Sequence, residues 1–139
     1  YGPAKRSDGN PGLFHYGIHS VELLFELLGS GCETVSTTWS EKAEIVTGIW
    51  SDGRIGTVRG NRTGVTSYGF IAYCDAGVVS ETVSTRFAYR NLCHEIVKTF
   101  ESKCPSVTHK SNLDVVRFVL ASLKSERSSG QPVSLRDMT

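Results

Sequence analysis

Two histidines four residues apart stand in the stretch of this chain best equipped for chemistry: Gly12-Leu13-Phe14-His15-Tyr16-Gly17-Ile18-His19-Ser20-Val21-Glu22. Imidazole is the side chain whose ordinary titration lies nearest neutral pH, which makes it the usual proton acceptor in general-base chemistry. Here a loop leads into a helix, and His19 falls in the first turn, the positive end of the helix dipole. A neutral ring there can accept a proton. Glu22 and Glu26 follow three and seven residues on, along roughly one helical face. A substrate approaching the helix start would meet His15, Tyr16 and His19 together. The same residues admit two other readings. They can be surface or capping histidines beside a solvated glutamate face. Alternatively His15, His19 and Glu22 ligate a metal, which needs a fourth partner such as His94 or His109.

The elements that must position these groups can be read from periodicity. Ile18, Val21, Leu24, Phe25 and Leu28 repeat at helical spacing, and Gly29 supplies a stop. The period then becomes two. Residues 32–40 and 44–50 are rich in Val, Thr, Ile and Trp, and Ser51-Asp52-Gly53-Arg54 turns the second of them into 55–60. Residues 67–74 continue the β character, and Asp75-Ala76-Gly77 turns into 78–83. Tyr89, Leu92, Cys93, Ile96, Val97 and Phe100 then form an amphipathic stripe. Ser111, with Asp114 three residues on, reads as the cap of a last helix lined by Leu113, Val116, Leu120 and Leu123. Residues 132–135 predict a short closing strand. Strands grouped together and helices grouped together imply an α+β fold: a mainly antiparallel, open-faced sheet with helices packed on one face. Residues 1–12, rich in Gly and Pro, read as a linker or surface loop, and 13–139 as one domain. The strands are apolar on both sides: Ile45 and Ile49 oppose Val46 and Trp50, and Ile71 and Tyr73 oppose Tyr68 and Phe70. With the two C-terminal helices on one face, the other is expected to pair with a second copy of the chain.

Composition excludes several classes. Among 139 residues the formal net charge is +1, with no basic stripe to neutralise phosphates, so nucleic acid is not an expected partner. The longest apolar run, around residues 21–28, is interrupted by Glu22 and Glu26, which argues against a membrane span. Cys32, Cys74, Cys93 and Cys104 show no metal-binding or disulfide spacing; they read as buried or half-buried free thiols in a reducing, cytoplasmic setting. No G-x-G-x-x-G opens a helix, so the chain has no cradle for a dinucleotide pyrophosphate. It begins Tyr1-Gly2-Pro3, without initiator Met, and is expected to be a piece of a longer protein.

The stretch from His15 to His19 resembles the start of the second domain of the Gfo/Idh/MocA oxidoreductases, where an Asp, three residues and a His open a helix ending Leu-Leu-Gly. Here Leu27-Leu28-Gly29 is similar to that ending, and Gly48-Ile49-Trp50-Ser51-Asp52-Gly53-Arg54-Ile55-Gly56 resembles the family's strand-turn-strand. The segments from Ile96 to Phe100, Cys104-Pro105-Ser106-Val107 and Ser125 to Leu135 are similar to its final helices and strand. The resemblance implies that a companion Rossmann domain binds NAD or NADP and supplies a Lys, this fragment alone binding no cofactor. The second domain supplies His19 as the catalytic base acting on a sugar or polyol hydroxyl, with His15 and Tyr16 in substrate binding. It also implies assembly through the sheet. The family's Asp is replaced by His15, which changes the charge beside the reacting hydroxyl. A non-catalytic ligand-binding or dimerisation module on the same fold is the alternative.

Overall fold

The computed structural model describes residues 1–64 and 67–138. The element order is β1 (Gly2–Pro3), α1 (Ile18–Leu28), β2 (Cys32–Trp39), β3 (Ala43–Trp50), β4 (Ile55–Asn61), β5 (Tyr68–Cys74), β6 (Gly77–Val83), α2 (Ala88–Ser102), α3 (His109–Arg127) and β7 (Val133–Ser134), with a 3-10 turn at Gly12–Phe14 before α1. Five strands form a sheet in the order β1-β4-β3-β2-β7, and β5 and β6 form a separate hairpin. All pairings are antiparallel except β1 with β4. The fold is α+β, as the grouping of strands and helices implies.

Period-two alternation sets the sheet's two faces. On β3, Glu44, Val46, Gly48 and Trp50 are buried, whereas Ile45 and Ile49 are exposed. On β4, Gly56, Val58 and Gly60 face inward and Ile55, Thr57 and Arg59 outward. Helices α1 and α3 cover the inner face: Val21, Leu24 and Phe25 from α1 meet Phe118 and Val119 from α3 over Val35, Val46, Trp50 and Val58. The glycines permit close approach. A Cβ at Gly56 would stand 2.6 Å from Leu28 and 2.7 Å from Leu24, and one at Gly48 2.8 Å from Phe118. Phe25 packs edge-on to Phe118, with ring centroids 5.7 Å apart, and Trp50 donates its indole N–H to the Gly29 carbonyl at 2.9 Å. Gly29, at φ +70°, ends α1 where a stop was expected.

Three expectations about the helices are corrected. The first helix, not α2, joins α3 over the sheet; none of α2's residues is buried. On α3 the buried residues are Val115, Phe118, Val119, Ala121, Ser122 and Ser125, while Leu113, Val116 and Leu120 face outward and Leu123 is half-buried. The serines decide this. Ser125 Oγ accepts the Thr37 N–H at 3.0 Å, the Ser122 carbonyl accepts the Thr37 hydroxyl at 3.0 Å, and Ser122 Oγ donates to its own helix at Val119 O. Satisfied in this way, two small polar residues let α3 sit closer to β2 than leucines would. The helix also starts a turn earlier than expected, capped by Thr108, whose Oγ1 accepts the Ser111 N–H.

The segment before residue 13 is not only a loop. Gly2 and Pro3 pair with Gly60 and Asn61, Ala4 is fully buried, and Tyr1 exchanges both backbone hydrogen bonds with Gly69. The edge of β4 is thereby occupied. This is why the meander expected to run through β5 and β6 splits into a sheet and a hairpin.

The four cysteines are free, but only Cys32 is partly buried; Cys74, Cys93 and Cys104 are exposed. Burial pushes the Cys32 thiol up to about 12. Thiolate, not thiol, is the nucleophile, so near neutral pH Cys32 is expected to react with an alkylating reagent at least roughly ten-fold slower than Cys74 or Cys104. Mass spectrometry of timed alkylation checks this; equal rates at Cys32 and Cys74 would refute it. No helix among the described residues is long and apolar enough to cross a membrane.

Candidate functional site

The turn before α1 is conformationally special. Tyr16 adopts φ +61°, the left-handed region a non-glycine residue rarely occupies, and the Tyr68 hydroxyl donates to its carbonyl oxygen at 3.2 Å. In the first turn of the helix, His19 Nδ1 lies 2.8 Å from Glu22 Oε2, the i,i+3 spacing that stacks two side chains on one face. A carboxylate accepts only, so it selects the tautomer with the proton on Nδ1 and leaves Nε2 with the free lone pair. The Tyr68 ring stands edge-on to the His19 ring, at 5.8 Å between centroids and 82° between planes. Burial raises the Tyr68 hydroxyl above its ordinary range, with smaller contributions from Tyr16 and Glu22, so it remains a neutral donor at physiological pH.

These groups line a cavity of about 980 Å³ between α1, the end of β4, the base of the β5–β6 hairpin and the start of α2. From α1 and its turn come Tyr16, His19, Glu22 and Glu26; across the cavity stand Tyr68 and Tyr89, with Asn61 and Thr63 between. The lining combines aromatic rings, carboxylate acceptors, a neutral amide, threonine hydroxyls and one imidazole with the cationic side chains of Lys5 and Arg62. That combination suits a compact molecule bearing several hydroxyls and an apolar face.

Of the residues singled out by sequence, Tyr16 and His19 share the cavity and His15 does not line it. His15 Nδ1 lies 3.0 Å from the Lys5 carbonyl oxygen and its ring tilts against Tyr16 at 4.7 Å, so it ties the N-terminal segment to the turn. Glu22 partners His19, and among the described residues no three His, Cys, Asp or Glu side chains gather to hold a metal. Tyr68 was missed as a site residue. It lies 52 positions from Tyr16 and reaches it only because Tyr1 pairs with Gly69, a contact no local spacing announces.

No family model matches the chain, and no curated protein matches it. The fold is similar to that of a crystal structure described as "a putative NADPH-dependent oxidoreductase" from Desulfitobacterium hafniense, with a TM-score of 0.70 and 14% identity over 91% of this chain. The chain spans 48% of that structure's length. What the two share is the fold: an α+β domain that corresponds to about half of that chain.

Proposed function

We propose that this chain is the substrate-side and assembly domain of a Gfo/Idh/MocA-type oxidoreductase acting on a sugar, polyol or related hydroxyl compound. The observation that carries the reading is the His19–Glu22 pair facing a cavity of substrate size, on a helix start where the resemblance places the catalytic base. The residues present fit the substrate end of such a reaction and not the cofactor's pyrophosphate. Among the described elements no parallel strand–glycine turn–helix unit offers backbone N–H groups to phosphates. A nicotinamide carried by a companion domain would supply the hydride acceptor. This chain's residues bind the hydroxyl compound and move its proton. Glu22 orients the imidazole, Nε2 takes the hydroxyl proton, and Tyr68 fixes the ring and the Tyr16 turn from the opposite side.

The test uses the longer protein, offered a panel of sugars and polyols with NAD or NADP and followed by nicotinamide absorbance. Turnover of at least one polyhydroxylated substrate is expected; none across the panel would overturn the reading. The second reading, a non-catalytic binding or dimerisation module, draws on His15 standing where the family has an Asp. It predicts sugar binding with no turnover. We also propose a homodimer through the outer sheet face, where Ile45, Ile49 and Ile55 are exposed in adjoining register: Ile49 pairs with Ile55 across β3 and β4.

A further inference from the structure

We infer that the molecule bound in this cavity carries an anionic group, the carboxylate of a sugar acid or the phosphate of a sugar phosphate, held at the β4 end by Lys5 and Arg62. The inference rests on the substrate reading of the cavity and narrows its class. The backbone brings the two cations together. Parallel pairing sets Gly2 and Pro3 against Gly60 and Asn61, and the Ala4 N–H donates to the Asn61 carbonyl at 2.8 Å. Lys5 comes next in the chain, so it leaves β1 beside the end of β4, where Arg62 follows Asn61. Both side chains line the cavity. Its carboxylates, Glu22 and Glu26, come from α1 instead.

Charge is thus divided between the walls. Carboxylates accept from hydroxyls, whereas ammonium and guanidinium groups only donate, and they bond most strongly to anions. A neutral polyol matches the α1 wall alone. One with an anionic end matches both.

Neither cation is fully engaged by the fold. Among the described residues no carboxylate lies within ion-pair reach of Lys5, whose side chain is exposed. The Arg62 side chain is 7% exposed. Its Nη1 and Nη2 donate to the Ser40 carbonyl and to Glu44, but its buried Nε–H has no hydrogen-bond partner among the described residues. Buried donors are nearly always paired, and a cation left with one over beside a cavity favours an acceptor of opposite charge there. His15 completes the arrangement. Its Nδ1 lies 3.0 Å from the Lys5 carbonyl oxygen, so the ring donates its N–H and fixes the Lys5 backbone while leaving the ammonium unoccupied. His15 is a positioning residue for the anion end.

The longer protein tests this with glucose, galactose and mannose, each offered beside its uronate and its terminal phosphate ester, with NAD or NADP. For at least one sugar, an anionic member is expected to exceed the neutral one in kcat/KM by about ten-fold or more, the worth of one charge-assisted hydrogen bond. Added salt should shrink that preference. Whether the uronate or the ester is favoured tells carboxylate from phosphate. Lys5→Gln, checked for folding by circular dichroism, is expected to remove most of the preference through KM. His15→Ala should lose part of it, whereas a purely structural role would lower both members of a pair alike. Neutral members turned over as well as the anionic ones, or a preference that survives Lys5→Gln, would overturn the anion end and leave the oxidoreductase reading standing. If no member is turned over, that reading fails, and saturation-transfer NMR with the same panel still decides. Preferential binding of an anionic member that Lys5→Gln removes upholds the anion end; its absence overturns it.

Discussion

In the protein that unites this domain with a dinucleotide-binding unit, His19→Ala is expected to lower turnover by about 100-fold or more, the usual loss on deleting a general base. Glu22→Gln separates two roles for the neighbouring carboxylate. A Gln amide oxygen can still accept the Nδ1–H and hold the ring, but it offers no charge to the imidazolium formed as the proton arrives. An intermediate loss in turnover with KM unchanged is therefore expected. Tyr68→Phe removes the hydrogen bond to Tyr16 O but keeps the ring against His19, so its loss should be smaller. His15→Ala acts through the N-terminal segment, since His15 bonds to Lys5 O and does not line the cavity. If His19→Ala leaves the hydride-transfer rate unchanged, His19 is a helix-start histidine and the non-catalytic reading takes its place.

Helix α1 was legible to the residue, because its apolar positions, its glycine stop and its packing onto β4 all follow one period. The strands of the meander were legible for the same reason. Their partition was not. Whether β5 continues the sheet depends on Gly2 and Pro3 claiming the β4 edge, a pairing 58 residues distant in register from Gly60 and Asn61. On α3, the leucines were assigned inward because apolar side chains usually face the core. The reverse holds because Ser125 Oγ accepts from Thr37 of β2 and Ser122 Oγ donates to Val119 O within its own helix, and satisfied polar groups cost little to bury. The site divides along the same line. His19, Tyr16 and Glu22 are local to one helix start and could be named from sequence. Tyr68 and Tyr89 come from the hairpin base and α2, and only tertiary placement brings them to the cavity.

The largest stability effect is expected at Arg62→Leu, about 3–5 kcal/mol, the cost of leaving a buried ion without its partner. Glu44 points to the inner face of β3 and its side chain is 1% exposed; Arg62 Nη2 lies 3.3 Å from Glu44 Oε1. The guanidinium also donates from Nη1 to the Ser40 carbonyl at 2.6 Å, which holds the turn between β2 and β3. Nearby, Arg6 and Glu126 form a second, more exposed pair. Burial raises the Glu44 carboxyl above its ordinary 4.5, and Arg62 opposes that rise by charge and by hydrogen bond, with Arg6 adding to it and Glu126 working against it. A carboxyl whose folded value is raised costs the fold stability as pH rises through the interval above 4.5, because the unfolded chain ionises it first. Without Arg62 the folded value rises further and the interval widens. The deficit of Arg62→Leu against wild type should therefore be small near pH 4.5 and grow toward neutrality, measured by urea unfolding at several pH values. The double variant Glu44→Leu with Arg62→Leu removes both charges and should recover most of the loss at neutral pH, since an apolar pair in place of a buried ion pair is often neutral or stabilising. A deficit for Arg62→Leu that stays constant with pH would show that Arg62 acts through the Ser40 carbonyl and the turn, not through the Glu44 charge.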